Sequence, residues 1–353
     1  MLLVSVHSCV QEHPYNTQSI PSSKVRHEAV HGDQTDALQQ FLCSSASTLR
    51  GTQVKVKGAQ IMQGLACACT YLRYLSVADC NMKGPVMIVQ LYTLRMLRLW
   101  NCESLEVLQL AALPRLQTLY VRSCRSLTAV PSLEGLSGLQ TLNLTSCKIL
   151  TAVPSLVGLS SLQTLDLSSC EGLTVVPALA GLLSLQTLNL TRCKILTAVP
   201  SLAGLSSLQT LDLSSCESLT SVPSLAGLSS LQTLNLSRCK LLTAVPSLDG
   251  LSSLQTLDLS WCRSLTTVPS VEGLSILQPH DLSSCESSIS SPMIAMPSSP
   301  SSPMIAMPSL PSSEAGLLRL QTLDLNGCQT LTSVPSMEAL SSLKTLYLRG
   351  CHI

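Results

Sequence analysis

Aromatic residues are nearly missing from this chain: they make up 3% of its 353 residues, and Phe41 is the single phenylalanine. Rings therefore do not fill the interior. Hydrophobic residues still total 45%, so leucine and valine must fill it instead. Charge is scarce too, at 12% of residues with a net of +1. No basic field exists to hold nucleic acid or an anionic membrane, and neither is expected as a partner. No apolar run approaches the roughly 18 to 20 residues that span a bilayer. The opening Met1-Leu-Leu-Val-Ser-Val6 is too short for the apolar core of a secretory signal. Neither a phosphate-binding G-x-x-x-x-G-K-[ST] loop nor a kinase signature set is present. A nucleotide-driven switch is thereby excluded from the reading, and no cofactor is expected.

What the chain does have is a cysteine every 23 residues: Cys124, Cys147, Cys170, Cys193, Cys216, Cys239, Cys262 and Cys285, resuming at Cys328 and Cys351. Each closes the same phrase, as in Leu162-Gln-Thr-Leu165-Asp-Leu167-Ser-Ser-Cys170. A period in this range marks a stacked solenoid, in which added length adds layers rather than new cores. Leu165 and Leu167 alternate with polar residues, which buries one face of a short strand. Copies from adjacent coils then form a parallel sheet. Twelve strands at about 4.8 Å each give a face of about 50 to 55 Å. Cys170 turns the chain inward, its thiol acting as a small apolar group and a weak donor to carbonyls. Leu173, Val176, Leu179 and Leu182 complete the core from the outer side. Pro177 and its equivalents Pro131, Pro154, Pro200, Pro223, Pro246, Pro269 and Pro335 forbid a long regular helix there.

Of 16 cysteines, most occupy this one slot, so their nearest cysteine neighbours are copies pointing the same way. That geometry is poor for a bridge. They are read as reduced thiols in an intracellular, cytoplasmic protein. The sequons at Asn143, Asn189 and Asn235 fall inside expected strands and recur because the repeat recurs. A second alternation sits on the first. Lys148, Glu171, Lys194, Glu217 and Lys240 follow successive cysteines, while Asn143, Asp166, Asn189, Asp212, Asn235 and Asp258 alternate at mid-strand. Two readings stand: duplication of a coil pair, or a pattern that avoids a ladder of like charge, each exposed pair contributing roughly 0 to 1 kcal/mol.

Aligned on their first leucines (Leu72, Leu94, Leu116, Leu139, Leu162, Leu185, Leu208, Leu231, Leu254, Leu277, Leu320 and Leu343), about twelve coils share the consensus LSSLQTLDLSSCESLTSVPSLAG. This resembles the leucine-rich repeat family, whose signature is L-x-x-L-x-L-x-x-N/C-x-L, over roughly residues 66 to 353. Phrases such as the one from Leu208 to Pro223 look like the repeat region of plant NBS-LRR disease-resistance receptors. The resemblance implies an α/β-class, right-handed leucine-rich repeat solenoid shaped as a horseshoe. A parallel β-sheet would form its concave face, with 3₁₀ or extended segments on the convex face. It also implies recognition of protein partners, either as a free-standing interaction scaffold or as a sensor fragment of an immune-receptor-like chain. The nucleotide-binding engine of such receptors is missing.

Three regions depart from the repeat. Residues 1–65 carry none, and 35–46 reads as a helix with Leu38, Phe41 and Leu42 on one side, suited to capping the first coil. Residues 286–316 are rich in Ser, Pro and Met and should loop out of the 66–353 array. The coil before them has Pro279 and His280 in place of Thr and Leu. The last coil stops at Ile353 with no polar cap, so a partner covers it or the chain is a fragment.

Two constellations invite chemistry. His27-Glu28-Ala-Val-His31 spells H-E-x-x-H, which binds zinc when a helix presents both histidines on one face, with the glutamate as general base. Gly32 and Asp33 would end such a helix at once, and 65 residues are too few for a catalytic cleft. A zinc hydrolase is therefore the outlying alternative, and no catalytic or metal site is assigned. Cys67 and Cys69 read as packing. The second constellation is the concave face, a polar lawn in the middle coils that changes toward the N-terminal end to Tyr74, Met96, Arg98, Trp100, Tyr120 and Arg122. Trp261 stands alone later, and Tyr347 and Arg349 mark the last coil. Binding hot spots are enriched in Trp, Tyr and Arg, so these are the candidate partner contacts. The alternative is that the early aromatics pack against an N-terminal cap.

Overall fold

The computed structural model describes residues 2–4, 30–32, 51–55, 72–78, 85–89, 91–111, 113–268, 319–334, 340 and 342–351. Sixteen strands run in chain order: β1 (Leu2–Val4), β2 (Val30–Gly32), β3 (Gly51–Lys55), β4 (Tyr74–Ala78), β5 (Pro85–Val89), β6 (Met96–Trp100), β7 (Val107–Ala111), β8 (Thr118–Arg122), β9 (Thr141–Asn143), β10 (Thr164–Asp166), β11 (Thr187–Asn189), β12 (Thr210–Asp212), β13 (Thr233–Asn235), β14 (Thr256–Asp258), β15 (Thr322–Asp324) and β16 (Thr345–Tyr347). Twelve of them form one parallel sheet in the order β16 back through β8, then β6, β4 and β3. Register follows from the equal coil length. Leu165 pairs with Leu188 and with Leu142, and Asp166 with Asn189 and with Asn143. Every row of the sheet is thus a column of the repeat.

The core is continuous from coil to coil. In the coil starting at Leu162, the side chains of Leu162, Leu165, Leu167, Cys170, Leu173, Val176, Leu179 and Leu182 are all buried. Each layer alone would leave these side chains open on two sides, so stacking creates the interior. On the convex side the chain makes single turns, such as Leu182 N–H to Leu179 O (3.2 Å) and Leu185 N–H to Leu182 O (3.0 Å). These i to i−3 bonds are 3₁₀-type turns that do not propagate. Isolated bridges such as Ala152 to Val175 and Ala198 to Ser221 tie neighbouring coils there, and β5 pairs with β7. No helix occurs among the described residues. The structure is a parallel β-solenoid of the leucine-rich repeat type.

One backbone device was not legible in the leucine pattern. The residue before each cysteine is left-handed: Asn101, Ser123, Ser146, Ser169, Arg192, Ser215, Arg238 and Trp261 have φ between 55° and 63°, and Gly327 and Gly350 occupy the same row. This kink lets the Ser169 N–H reach Thr191 O of the next coil (2.6 Å) while the Cys170 N–H folds back to Leu167 O (3.3 Å). The conformation costs a residue with a Cβ about 1 to 2 kcal/mol, which the repeated hydrogen bonds offset.

The array has different limits from those read off the leucines. Strand β3 lies before residue 66, yet it pairs in register with β4, Gly51 opposite Tyr74. Strand pairing needs backbone N–H and C=O groups, not leucines, so the sheet extends one strand further back. The expected helix at 35–46 lies outside the described residues. At the other end, β14 pairs directly with β15, Leu257 opposite Leu323, so the coil aligned on Leu277 contributes no strand between them. Its sequence explains why. The Thr at Pro279's position donates its N–H to the preceding coil elsewhere, as Thr256 does to Gln232 O (3.0 Å). Proline has no such donor. His280 would fill a slot where Leu257 is 1% exposed. Residues 269–318, which include the stretch 286–316, lie outside the described residues.

Candidate functional site

The strands expose one row of side chains after another on the concave face, and the cysteines anchor those rows from below. Each described thiol from Cys147 onward donates to a carbonyl of the preceding layer, as Cys170 Sγ does to Leu144 O (3.1 Å) and Cys328 Sγ to Leu259 O (3.1 Å). All the described cysteines are free. Burial pushes the thiols of Cys147, Cys216 and Cys262 up to about 12, and that of Cys328 up to about 11. Thiolate chemistry is thereby suppressed along the ladder.

Above it runs the Asn/Asp row. Each member caps its own strand end: Asp166 Oδ1 accepts the Ser168 N–H (2.9 Å) and Asn189 Oδ1 the Thr191 N–H (2.9 Å). Asn143 Nδ2 also donates to Asp166 Oδ2 (2.9 Å), so alternation converts one like-charge contact into a hydrogen bond. The same alternation beside the cysteines places Glu171 between Lys194 (3.0 Å) and Lys148 (3.6 Å), and Lys240 against Glu217 (2.8 Å). The hydrogen bond from Lys194, with Lys148 adding, holds the Glu171 carboxyl below its ordinary value.

Where β14 meets β15 the alternation fails, and Asp258 faces Asp324 in register. Burial, and then Asp258, raise the Asp324 carboxyl above its ordinary value. A raised carboxyl favours the folded state when protonated, so the ionised form costs stability as pH rises through that value. The variant Asp324→Asn should therefore be more stable than wild type at pH 7, by roughly 0.2 to 1 kcal/mol, the range for cross-strand pairs. The gain should shrink as the pH falls below the raised carboxyl. Urea midpoints at pH 7 and pH 3.5 measure both parts, and an equal gain at the two pH values would refute the pairing argument.

The N-terminal strands carry a different surface. The guanidinium of Arg98 sits 5.9 Å from the Trp100 ring centre and 5.7 Å from that of Tyr120. Arg98 and Tyr120 are register partners, as are Trp100 and Arg122. Trp100 is 46% exposed, Arg98 and Arg122 are exposed, and Tyr74 and Tyr120 are half-buried. Nearly half of the Trp100 surface is therefore left uncovered.

The remaining sequence candidates lie elsewhere. Trp261 is at the strand junction. A Cβ added to Gly327 would come within 2.9 Å of its indole carbons, so the ring lies over the next layer and Arg263 stacks 5.9 Å from it. Tyr347 is 46% exposed and Arg349 is exposed at the opposite end of the sheet. The eight candidates thus form three groups, and the structure unites only Tyr74, Arg98, Trp100, Tyr120 and Arg122 on adjoining strands.

Of the H-E-x-x-H segment, His27 and Glu28 lie outside the described residues. His31 belongs to β2, which pairs antiparallel with β1; extended backbone there cannot supply the helical turn the zinc motif needs. Cys67 and Cys69 also lie outside them. Among the described residues no group of three or more His, Cys, Asp or Glu could hold a metal ion, and no helix is long and apolar enough to cross a membrane.

This geometry defines an open repeat solenoid with a broad sheet as its accessible face. Residues 206–250 match the model for leucine rich repeats in two copies, in keeping with the solenoid fold. No curated protein sequence matches the chain. Among solved structures, it is similar to a leucine-rich repeat protein of Leptospira interrogans (21% identity, 86% of this chain and 85% of that one, TM-score 0.36). It is also similar to the functional domain of InlJ from Listeria monocytogenes, described as including a cysteine ladder (16%, 89% and 65%, TM-score 0.31). A third likeness is to TLR13 in complex with ssRNA13 (20%, 91% and 49%, TM-score 0.37).

Proposed function

We propose that this chain is a non-catalytic protein-recognition module that docks its partner on the concave sheet, with the Trp100 patch as the main contact. One observation carries the reading: an exposed tryptophan whose neighbouring arginine lies within 6 Å of two ring centres, on a face otherwise covered mostly by short polar side chains. A pre-ordered aromatic and arginine cluster loses little side-chain freedom on binding, and such clusters dominate interface energetics. Free cysteines throughout the repeat support a reducing compartment, the cytosol. The likeness of the repeat phrase to the sensing region of disease-resistance receptors suits the same role, recognition without a nucleotide switch.

The test is affinity capture from a cell extract with tagged wild type, Trp100→Ala and Ser168→Ala. Ser168 occupies the same row three layers on, so its loss controls for the sheet itself. Capture of the wild-type partner set should be lost with Trp100→Ala and retained with Ser168→Ala. Equal capture by all three proteins would reject the patch as the contact.

A further inference from the structure

The charge around Trp100 is one-sided. Arg98 and Arg122 point from the sheet, and Arg73 and Arg95 lie exposed on the row bordering it, linked layer to layer by the Arg95 N–H to Arg73 O bond (2.8 Å). None of the four pairs with a described carboxylate; the described ion pairs all lie beside the cysteines, such as Arg125 with Glu103. From β4 to β9 the described concave positions hold Tyr, Ser, Ala, Met, Arg, Trp, Thr and Asn, and the first carboxylate is Asp166 of β10. Four like charges on adjoining strands repel one another, so a ligand of opposite charge gains attraction and relieves that repulsion.

Resting on the recognition reading above, we infer that the Arg73, Arg95, Arg98, Trp100, Tyr120 and Arg122 surface takes a short acidic peptide segment, with a side-chain carboxylate on Arg98. The guanidinium carbon lies within 6 Å of both ring centres, and with no described carboxylate paired to it the N–H groups are left for bidentate pairing. The extent of the patch sets the length of the segment. Strands β4 to β8 are two strand spacings apart, about 10 Å, which an extended chain crosses in about three residues. A longer polyanion is disfavoured. Following the same row beyond Asn143, it would meet Asp166, Asp212, Asp258 and Asp324, one carboxylate every second layer up to the junction. Single-stranded RNA uses stacked aromatics and arginines too, but it needs a continuous positive track, and here the track ends after three strands.

Fluorescence anisotropy with fluorescein-labelled hexaglutamate, hexalysine and hexauridylate tests this on the full chain. Hexaglutamate should bind saturably and more weakly as salt is raised, hexalysine should not bind, and hexauridylate should bind more weakly than hexaglutamate. Arg98→Gln should weaken hexaglutamate at least tenfold. Arg192→Gln, an exposed arginine further along the array, should leave it unchanged, and circular dichroism checks that both variants fold. No saturable hexaglutamate binding, equal binding by Arg98→Gln, or tighter hexauridylate binding would each overturn the inference. Those failures leave the recognition reading intact if Trp100→Ala still loses its partner in the capture experiment, so the two ideas fail separately.

Discussion

Raising the pH above 9 should unfold this protein over a narrow range, because its core is lined with thiols that cannot ionise in place. Cys124, Cys147, Cys170, Cys193, Cys216, Cys239, Cys262 and Cys328 all have raised values in the folded state against an ordinary 9.0. For Cys124 the first cause is its hydrogen bond with Cys102, and for the others it is burial. The sign follows from proton linkage. Above 9 the unfolded chain releases thiol protons that the folded chain keeps, so stability falls as pH rises. Each thiol contributes about 1.4 kcal/mol per pH unit in that window. Eight together give a slope on the order of 10 kcal/mol per pH unit, comparable with the whole stability of a typical domain. Circular dichroism across pH 8 to 11 should show a steep loss of strand signal, and each Cys→Ala change in the middle coils should make it shallower. A fold that stays intact to pH 11 would contradict the ladder of buried neutral thiols.

The second large effect is positional. Leu213→Ala empties a fully buried site between Leu190 and Leu236 of the adjacent layers, all at 0% exposure. A deletion of this kind costs about 2 to 5 kcal/mol. Leu348 occupies the same row in the last coil but is 39% exposed, so Leu348→Ala should cost less than about 1 kcal/mol. Neighbour contacts carry nearly all the cohesion of a stacked array. Weakening layer 213 should therefore also uncouple the two halves and broaden or split the urea transition, whereas the end-layer change should leave it single. Urea unfolding followed by circular dichroism measures both. Equal costs for the two variants would mean that the layers do not share one core.

The proposed contact surface was half legible. Trp100, Arg98 and Tyr120 stand out in the sequence as an interruption of the polar lawn, and their row follows from the repeat spacing. That the Arg98 guanidinium lies within 6 Å of both ring centres was not legible, because Arg98 and Tyr120 belong to different coils and their approach depends on the twist between strands. Trp261 is as exposed as Trp100, 45% against 46%, and adds a contact the repeat spacing did not give. Its ring lies over Gly327, a neighbour 66 positions away that only the junction brings close.

The amino-acid pattern alone determined the parallel sheet, its register, the buried leucine columns and the thiol donors, because a constant coil length makes each of these a local consequence repeated. The tertiary structure decided which coils are neighbours. It added β3 through backbone pairing that needs no leucine, and it joined β14 directly to β15. In doing so it set Asp324 against Asp258 and Trp261 over Gly327. Such contacts depend on which layers adjoin, and adjacency is a property of the folded stack rather than of any one repeat.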